Sequence, residues 1–162
     1  MKKLFLSTLL LLLTLSAFSQ ETYQVNTYYA DLGGYVISVY DDGAHGTVVA
    51  MQDQNSTGSA HFWNAQTIAS NPDNHDNDGK AVKGWRLPTF EELTLMHTVY
   101  KNGNAPQFNI NESTDQTQNT KSYWSITVKQ DGTVFLWDFA NGAQFYAAKT
   151  QGPYSVRAVR DF

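Results

Sequence analysis

The chain has 162 residues, no cysteine and a formal charge of −4. The length suits one domain with a real core, and the missing cysteine excludes disulfides, thiol chemistry and a lipid anchor on cysteine. The acidic balance, without any basic run, argues against nucleic acid or an anionic membrane as partner.

Lys2 and Lys3 open the chain. Leu4 to Leu15 is an apolar run, and Ala17-Phe18-Ser19 fits the small-x-small rule for cleavage before Gln20. The pattern predicts a signal peptide over residues 1–19. The run is short for a permanent span, which takes about 20 residues, and an uncleaved anchor is the alternative. Export across the inner membrane is expected, to the periplasm, the outer membrane or the exterior, with no transmembrane segment left after cleavage. Losing Lys2 and Lys3 takes the formal charge from −4 to −6. The new N-terminal Gln20 can cyclise to pyroglutamate.

Residues 20–162 are read as a single domain. Thr22 to Ala30 and Gly34 to Tyr40 are rich in Tyr, Val and Ile and read as strands parted by Gly33-Gly34. Asp41 to Gly46 is turn chemistry, and Thr47 to Met51 a third strand. His45 lies in that turn, as a surface residue or a ligand. Gln52 to Ser59 is a polar loop. Ala60 to Ala69 reads as a first helix, with Phe62, Ala65 and Ile68 on one stripe and Pro72 as its stop.

Asn71-Pro72-Asp73-Asn74-His75-Asp76-Asn77-Asp78-Gly79 is the most chemically suggestive stretch. Hard oxygen donors at alternate positions before a glycine suit calcium. Asp73, Asn74, Asp76 and Asp78 are therefore the candidate metal residues, with calcium the one cofactor considered. The second half of an EF-hand loop is missing, since Trp85 stands where its glutamate belongs. The alternative is a solvated Asn/Asp turn. A transition metal at His75 lacks a second His or Cys nearby.

Lys83 to Leu93 carries the strongest local signal. Pro88 keeps Leu87 extended, Thr89 is an N-cap, and Glu92 completes a capping box. Phe90, Leu93, Met96 and Tyr100 follow at helical spacing, with Lys101 and Gly103 as the stop. Asn102 to Thr120 is a long polar loop, of a length that is usually functional.

The last forty or so residues read as a meander of strands: Lys121 to Val128, Thr133 to Phe139, Ala143 to Lys149 and Tyr154 to Val159. Asp131-Gly132 and Asn141-Gly142 predict two-residue type I′ hairpins. Val134 to Phe139 is apolar on both faces and should be buried and central.

Several blocks now stand in order: Gly33-Gly34-Tyr35-Val36, His45 to Ala50, Gly84-Trp85-Arg86-Leu87-Pro88-Thr89 with Glu92-Leu93, Tyr123-Trp124-Ser125, Trp137, and Val156-Arg157-Ala158-Val159-Arg160. They resemble the bacterial family named for the C-terminal domain of the Lcl collagen-like adhesin, a domain of unknown function, over nearly all of residues 20–162. The resemblance implies an α+β, C-type-lectin-like fold. It has two helices packed on a twisted, mainly antiparallel sheet with a C-terminal meander, its first and last strands close together. It also implies that Trp85, Trp124 and Trp137 are core pins, with a sugar-stacking platform as the alternative, and it leaves Trp63, which has no clear match, open between the two roles. Arg86 and Arg160 are expected to brace buried backbone or an Asp, with a ligand carboxylate as the alternative.

The related sulfatase-modifying enzymes need cysteines, which this chain lacks. The calcium triplets of sugar-binding C-type lectins are absent from their places: Asn71-Pro72-Asp73 precedes the second helix, and Phe135-Leu136-Trp137-Asp138 lacks the asparagine. The resulting expectation is a secreted, non-enzymatic binding or interaction module of the cell envelope or surface, recognising a glycan or an envelope or surface protein. A structural subunit of an envelope, secretion or adhesion assembly is the alternative. A hydrolase built on Asp73, Asp76 and Asp78 is the enzymatic one, with neither Gly-x-Ser-x-Gly nor His-Glu-x-x-His to support it.

Overall fold

The computed structural model describes residues 22–54, 59–102 and 119–162, with backbone alone for 119–121. The predicted signal peptide and nearly all of the long polar loop lie outside the described residues. The fold is α+β. One sheet holds β1 (Tyr28–Tyr29), β2 (Gly34–Val39), β3 (Gly46–Val49) and β9 (Val159–Asp161), in the order β1-β2-β3-β9 and antiparallel throughout. The other holds β4 (Ser59–Ala60), β5 (Asn119–Val128), β6 (Val134–Asp138), β7 (Gln144–Ala147) and β8 (Tyr154–Ser155), in the order β4-β8-β5-β6-β7. Only the β5/β8 pair is parallel. The helices are α1 (Phe62–Ser70), α2 (Asn77–Ala81) and α3 (Phe90–Lys101), with a 3-10 turn at Pro72–Asn74.

The expectation of one sheet and two helices is thus corrected to two sheets and three helices among the described residues. The last predicted strand, Tyr154 to Val159, is really two. Tyr154–Ser155 joins the meander sheet and Val159–Asp161 crosses to the first sheet beside β3. The crossing is possible because residues 50–54 take up its backbone groups. Gln54 N–H donates to the Val156 carbonyl (2.8 Å) and Ala50 N–H to the Ala158 carbonyl (2.9 Å).

The predicted strand Thr22 to Ala30 shrinks to Tyr28–Tyr29, since Asn26 adopts the left-handed region (φ 64°) and breaks extension. The first helix starts at Phe62, because Ala60 belongs to β4 and pairs with Tyr154. The hairpins are longer than type I′ turns. Gly132 (φ 82°) and Gly142 (φ 75°) take positive φ, but Asp131 and Asn141 do not. Lys129 N–H reaches the Thr133 carbonyl while Gly132 N–H reaches the Lys129 carbonyl, a three-residue loop closed by a left-handed glycine. The acids bond forward instead: Asp131 Oδ1 accepts Thr133 N–H (2.9 Å).

Both faces of the central strands are covered. Val36, Val48, Trp124, Val134 and Leu136 turn toward α1, Trp85 and Val156 in one core. Tyr35, Val49, Tyr123, Trp137 and Phe139 turn toward Leu93, Met96 and Val99 of α3 in the other. β6 lies between β5 and β7 with Val134, Leu136 and Trp137 buried, as its two-faced apolar pattern predicts. The α3 capping box forms as read from the sequence.

Candidate functional site

The acidic stretch folds into a capping structure. Asn71 Oδ1 accepts Asp73 N–H (3.1 Å) and starts the 3-10 turn, and Asn74 Nδ2 donates to the Ile68 carbonyl (3.0 Å). Asp76 Oδ1 accepts Gly79 N–H (2.8 Å), capping α2. Asp78 accepts the Tyr28 hydroxyl, which pushes the tyrosine pKa up to about 12. Asp73 is the outlier, exposed and 3.9 Å from Lys80 Nζ. The candidate donors Asn74, Asp76 and Asp78 thus each serve a different local partner. Among the described residues no group of three or more His, Asp or Glu could hold a metal ion.

His75, placed in a polar turn by the sequence, is buried. Its ring stacks on Trp85 with centroids 4.6 Å apart, and Nε2–H donates to the Ala69 carbonyl (2.9 Å). Trp85 in turn donates its indole N–H to the Gly79 carbonyl (2.9 Å). Burial pushes the His75 pKa below its ordinary value and keeps the ring neutral. The polar letters around His75 hide a plug that ties α1 to α2. His45 remains an exposed turn residue bonded to Asp42.

The arginines brace the fold. Arg86 makes a two-pronged contact with Glu92 (2.7 and 2.8 Å) and reaches Asp161 (3.0 Å), tying the α3 cap to β9. Arg160 donates to the Leu32 carbonyl (3.1 Å) and lies over Trp85. Arg157, unremarked in the sequence, is the most buried of them. Its Nε lies 2.6 Å from Asp53 Oδ1 and its Nη1 2.8 Å from the Ala50 carbonyl, while the Tyr123 hydroxyl donates to Asp53 Oδ2 (3.1 Å). Burial pushes the Asp53 carboxyl up, and the guanidinium pulls it back down. Only pairing makes such a buried charge tolerable. The one signal available in sequence was an arginine inside an apolar run, Val156-Arg157-Ala158-Val159.

Trp85, Trp124 and Trp137 are buried, as expected of core pins, and Trp124 donates to the Ala60 carbonyl (2.7 Å). Trp63 is different. It sits on α1 beside Phe62 at 61% exposure, with Lys149 Nζ 5.0 Å from its ring. A second pairing lies across the sheet. Tyr146 of β7 is 42% exposed, carries Lys129 Nζ 4.3 Å from its ring and packs on Phe135 (4.2 Å), which packs on Phe90 (4.1 Å). Among the described residues neither lysine forms an ion pair with a carboxylate. Exposed aromatics beside unpaired cations give large contact area at low conformational entropy cost, which suits recognition. Trp63, Lys149, Tyr146 and Lys129 form the candidate binding rim. The sequence left Trp63 open between core and surface platform and gave no role to the other three.

Among the described residues no helix is long and apolar enough to cross a membrane. No curated protein matches the chain. The family model of the Lcl C-terminal domain matches residues 41–160.

Proposed function

The chain belongs to the Lcl C-terminal domain family, and from that premise we propose that it is an exported, non-enzymatic binding module of the bacterial cell envelope or surface, recognising a partner protein or a glycan. We read its α+β fold as C-type-lectin-like, in keeping with a last strand that returns to the first sheet. One observation carries the functional reading. The polar groups that suggest chemistry in the sequence are engaged in caps, backbone bonds and internal ion pairs, whereas Trp63, Tyr146 and Lys129 are exposed with Lys149 half-buried beside them, and among the described residues neither lysine is ion-paired. Export rests on the N-terminal pattern of residues 1–19.

The test is immobilised domain 20–162 against a glycan array and a solubilised envelope fraction, beside Trp63→Ala and Lys149→Glu. Specific retention that both substitutions weaken supports the reading. Blank results on both surfaces overturn it. Intact mass of the exported protein should match a chain starting at Gln20 or its pyroglutamate, and a mass that retains residues 1–19 would refute cleavage.

A further inference from the structure

We propose that Asn141 is a modification site gated by folding. The closed β6–β7 hairpin shields its side chain from deamidation. An opened hairpin lets it convert to aspartate or isoaspartate, and either product then hinders closure. The inference is independent of what the rim binds.

Asn141 is exposed at the tip of the hairpin, and Gly142 follows it. With no side chain on the glycine, its nitrogen can approach the asparagine side chain closely. The reaction begins when the Gly142 amide loses its proton and attacks Asn141 Cγ. A C–N bond forms, the Cγ–Nδ2 bond breaks and ammonia leaves, which gives a succinimide ring. Water then adds to either ring carbonyl. One opening gives aspartate. The other gives isoaspartate, in which the main chain runs through Cγ. Water is the only other reactant.

The folded hairpin ties up each group that must move. Gly142 N–H, which carries the proton to be lost, donates to the Asp138 carbonyl (2.8 Å). Asn141 Nδ2, the leaving group, donates to Asp138 Oδ2 (3.3 Å), and Asn141 Oδ1 accepts Ala143 N–H (2.7 Å). Asp138 Oδ1 takes the N–H groups of Ala140 (2.9 Å) and Asn141 (3.3 Å) as well. Phe139, in the same turn, is fully buried, with its ring 4.7 Å from that of Tyr123 and 5.2 Å from that of His97. Attack therefore requires several hydrogen bonds to break together, which is an opening of the hairpin tip.

Either product favours the open form. A carboxylate at position 141 has no N–H to give to Asp138 Oδ2, and it sets a second negative charge beside the first. Isoaspartate also lengthens the main chain inside a loop that Asp138 and Ala143 close. Neither product reverts on refolding.

The β5–β6 hairpin does not offer the same chemistry. Gly132 N–H is likewise bonded, to the Lys129 carbonyl (2.9 Å), but Asp131 precedes it. The Thr133 hydroxyl and N–H hold the Asp131 carboxyl below its ordinary pKa. It stays ionised, and a carboxylate is a poor target for a nitrogen nucleophile.

The test is peptide mapping of the folded protein and of the same protein in denaturant, aged side by side at neutral pH. Mapping resolves Asn141 from Asn102, which also precedes a glycine. Conversion at Asn141 is expected to be slower in the folded protein by about tenfold or more, the effect of one or two hydrogen bonds. Equal rates overturn the gating, and an unconverted Asn141 in denaturant overturns the site. Neither outcome depends on a variant. Asp138→Ala removes the side-chain acceptor and should speed conversion in the folded protein, and an unchanged rate in the folded variant overturns the shielding by Asp138. A folded Asn141→Asp protein should exchange its Gly142 and Ala143 amide protons faster than wild type. Equal exchange overturns the hindered closure.

Discussion

The stretch 71–79 and the strand β7 make opposite impressions in sequence and in space. The first is dense in Asp and Asn, yet its groups cap α2, close a 3-10 turn, bond to the end of α1 and anchor Tyr28. The second is a plain Gln-Phe-Tyr-Ala, yet among the described residues it is an edge strand with two aromatic–lysine pairs toward its Ala147 end. Polar density marks places where the backbone needs partners, because Asn and Asp bond to it readily. Binding surface is marked by what remains unpartnered after folding, which is a property of the assembled chain.

The contrast between engaged and available groups can be broken most forcefully at the buried pair. Asp53→Ala takes away the carboxylate that meets the buried Arg157 guanidinium, and should cost about 3–5 kcal/mol by denaturant unfolding. A loss below about 1 kcal/mol would show that the guanidinium is not held as described. Asp53→Leu with Arg157→Met should recover part of the loss, since no buried charge is left, while the Tyr123 hydroxyl and the Ala50 carbonyl each lose one bond.

Acid should act next on the engaged side. His75 is held below its ordinary pKa by burial, and His97 by burial and the charge of Lys101. Below about pH 6.5 the unfolded chain then binds more protons than the folded one. Their contribution is present above that pH and is lost as the pH falls through the lowered folded values. His75→Phe should flatten this dependence in thermal melts, and an unaltered profile would exclude His75 as a source.

Asp76→Ala removes a helix cap and should cost about 1 kcal/mol. Added calcium or chelator should leave the melting temperature of the wild-type domain unchanged. A rise with calcium would instead show that Asp73, Asn74, Asp76 and Asp78 rearrange to bind it, and would place the acidic stretch among the available groups. The smallest stability effect is expected at Trp63→Ala, within about 0.5 kcal/mol, because the indole is mostly exposed. A large loss of stability there would make Trp63 a structural residue and remove it from the rim.

Legibility follows the range of the interactions. The α3 helix and its cap could be read because Thr89, Glu92 and the apolar spacing act within a few residues of one another. The three core tryptophans were expected from the family resemblance, and all three are buried. The split of Tyr154 to Val159 between two sheets could not be read, since strands of two or three residues have little propensity of their own and exist through their partners. Of the candidate site, the sequence left Trp63 undecided and missed Lys129, Tyr146 and Lys149. Nothing local separates an exposed Tyr146 from a buried Tyr123, and register alone decides.

The sequence by itself determined the α3 cap, the apolar strands and the positions of the turns through contacts between near neighbours, and its resemblance to a family supplied the α+β class. Only the tertiary structure decided that Arg157 meets Asp53 across 104 residues, that His75 is a core ring and that β7 is an edge strand among the described residues. Those outcomes depend on which distant segment reaches a group first and excludes water from it, and that is settled when the two sheets and three helices pack together.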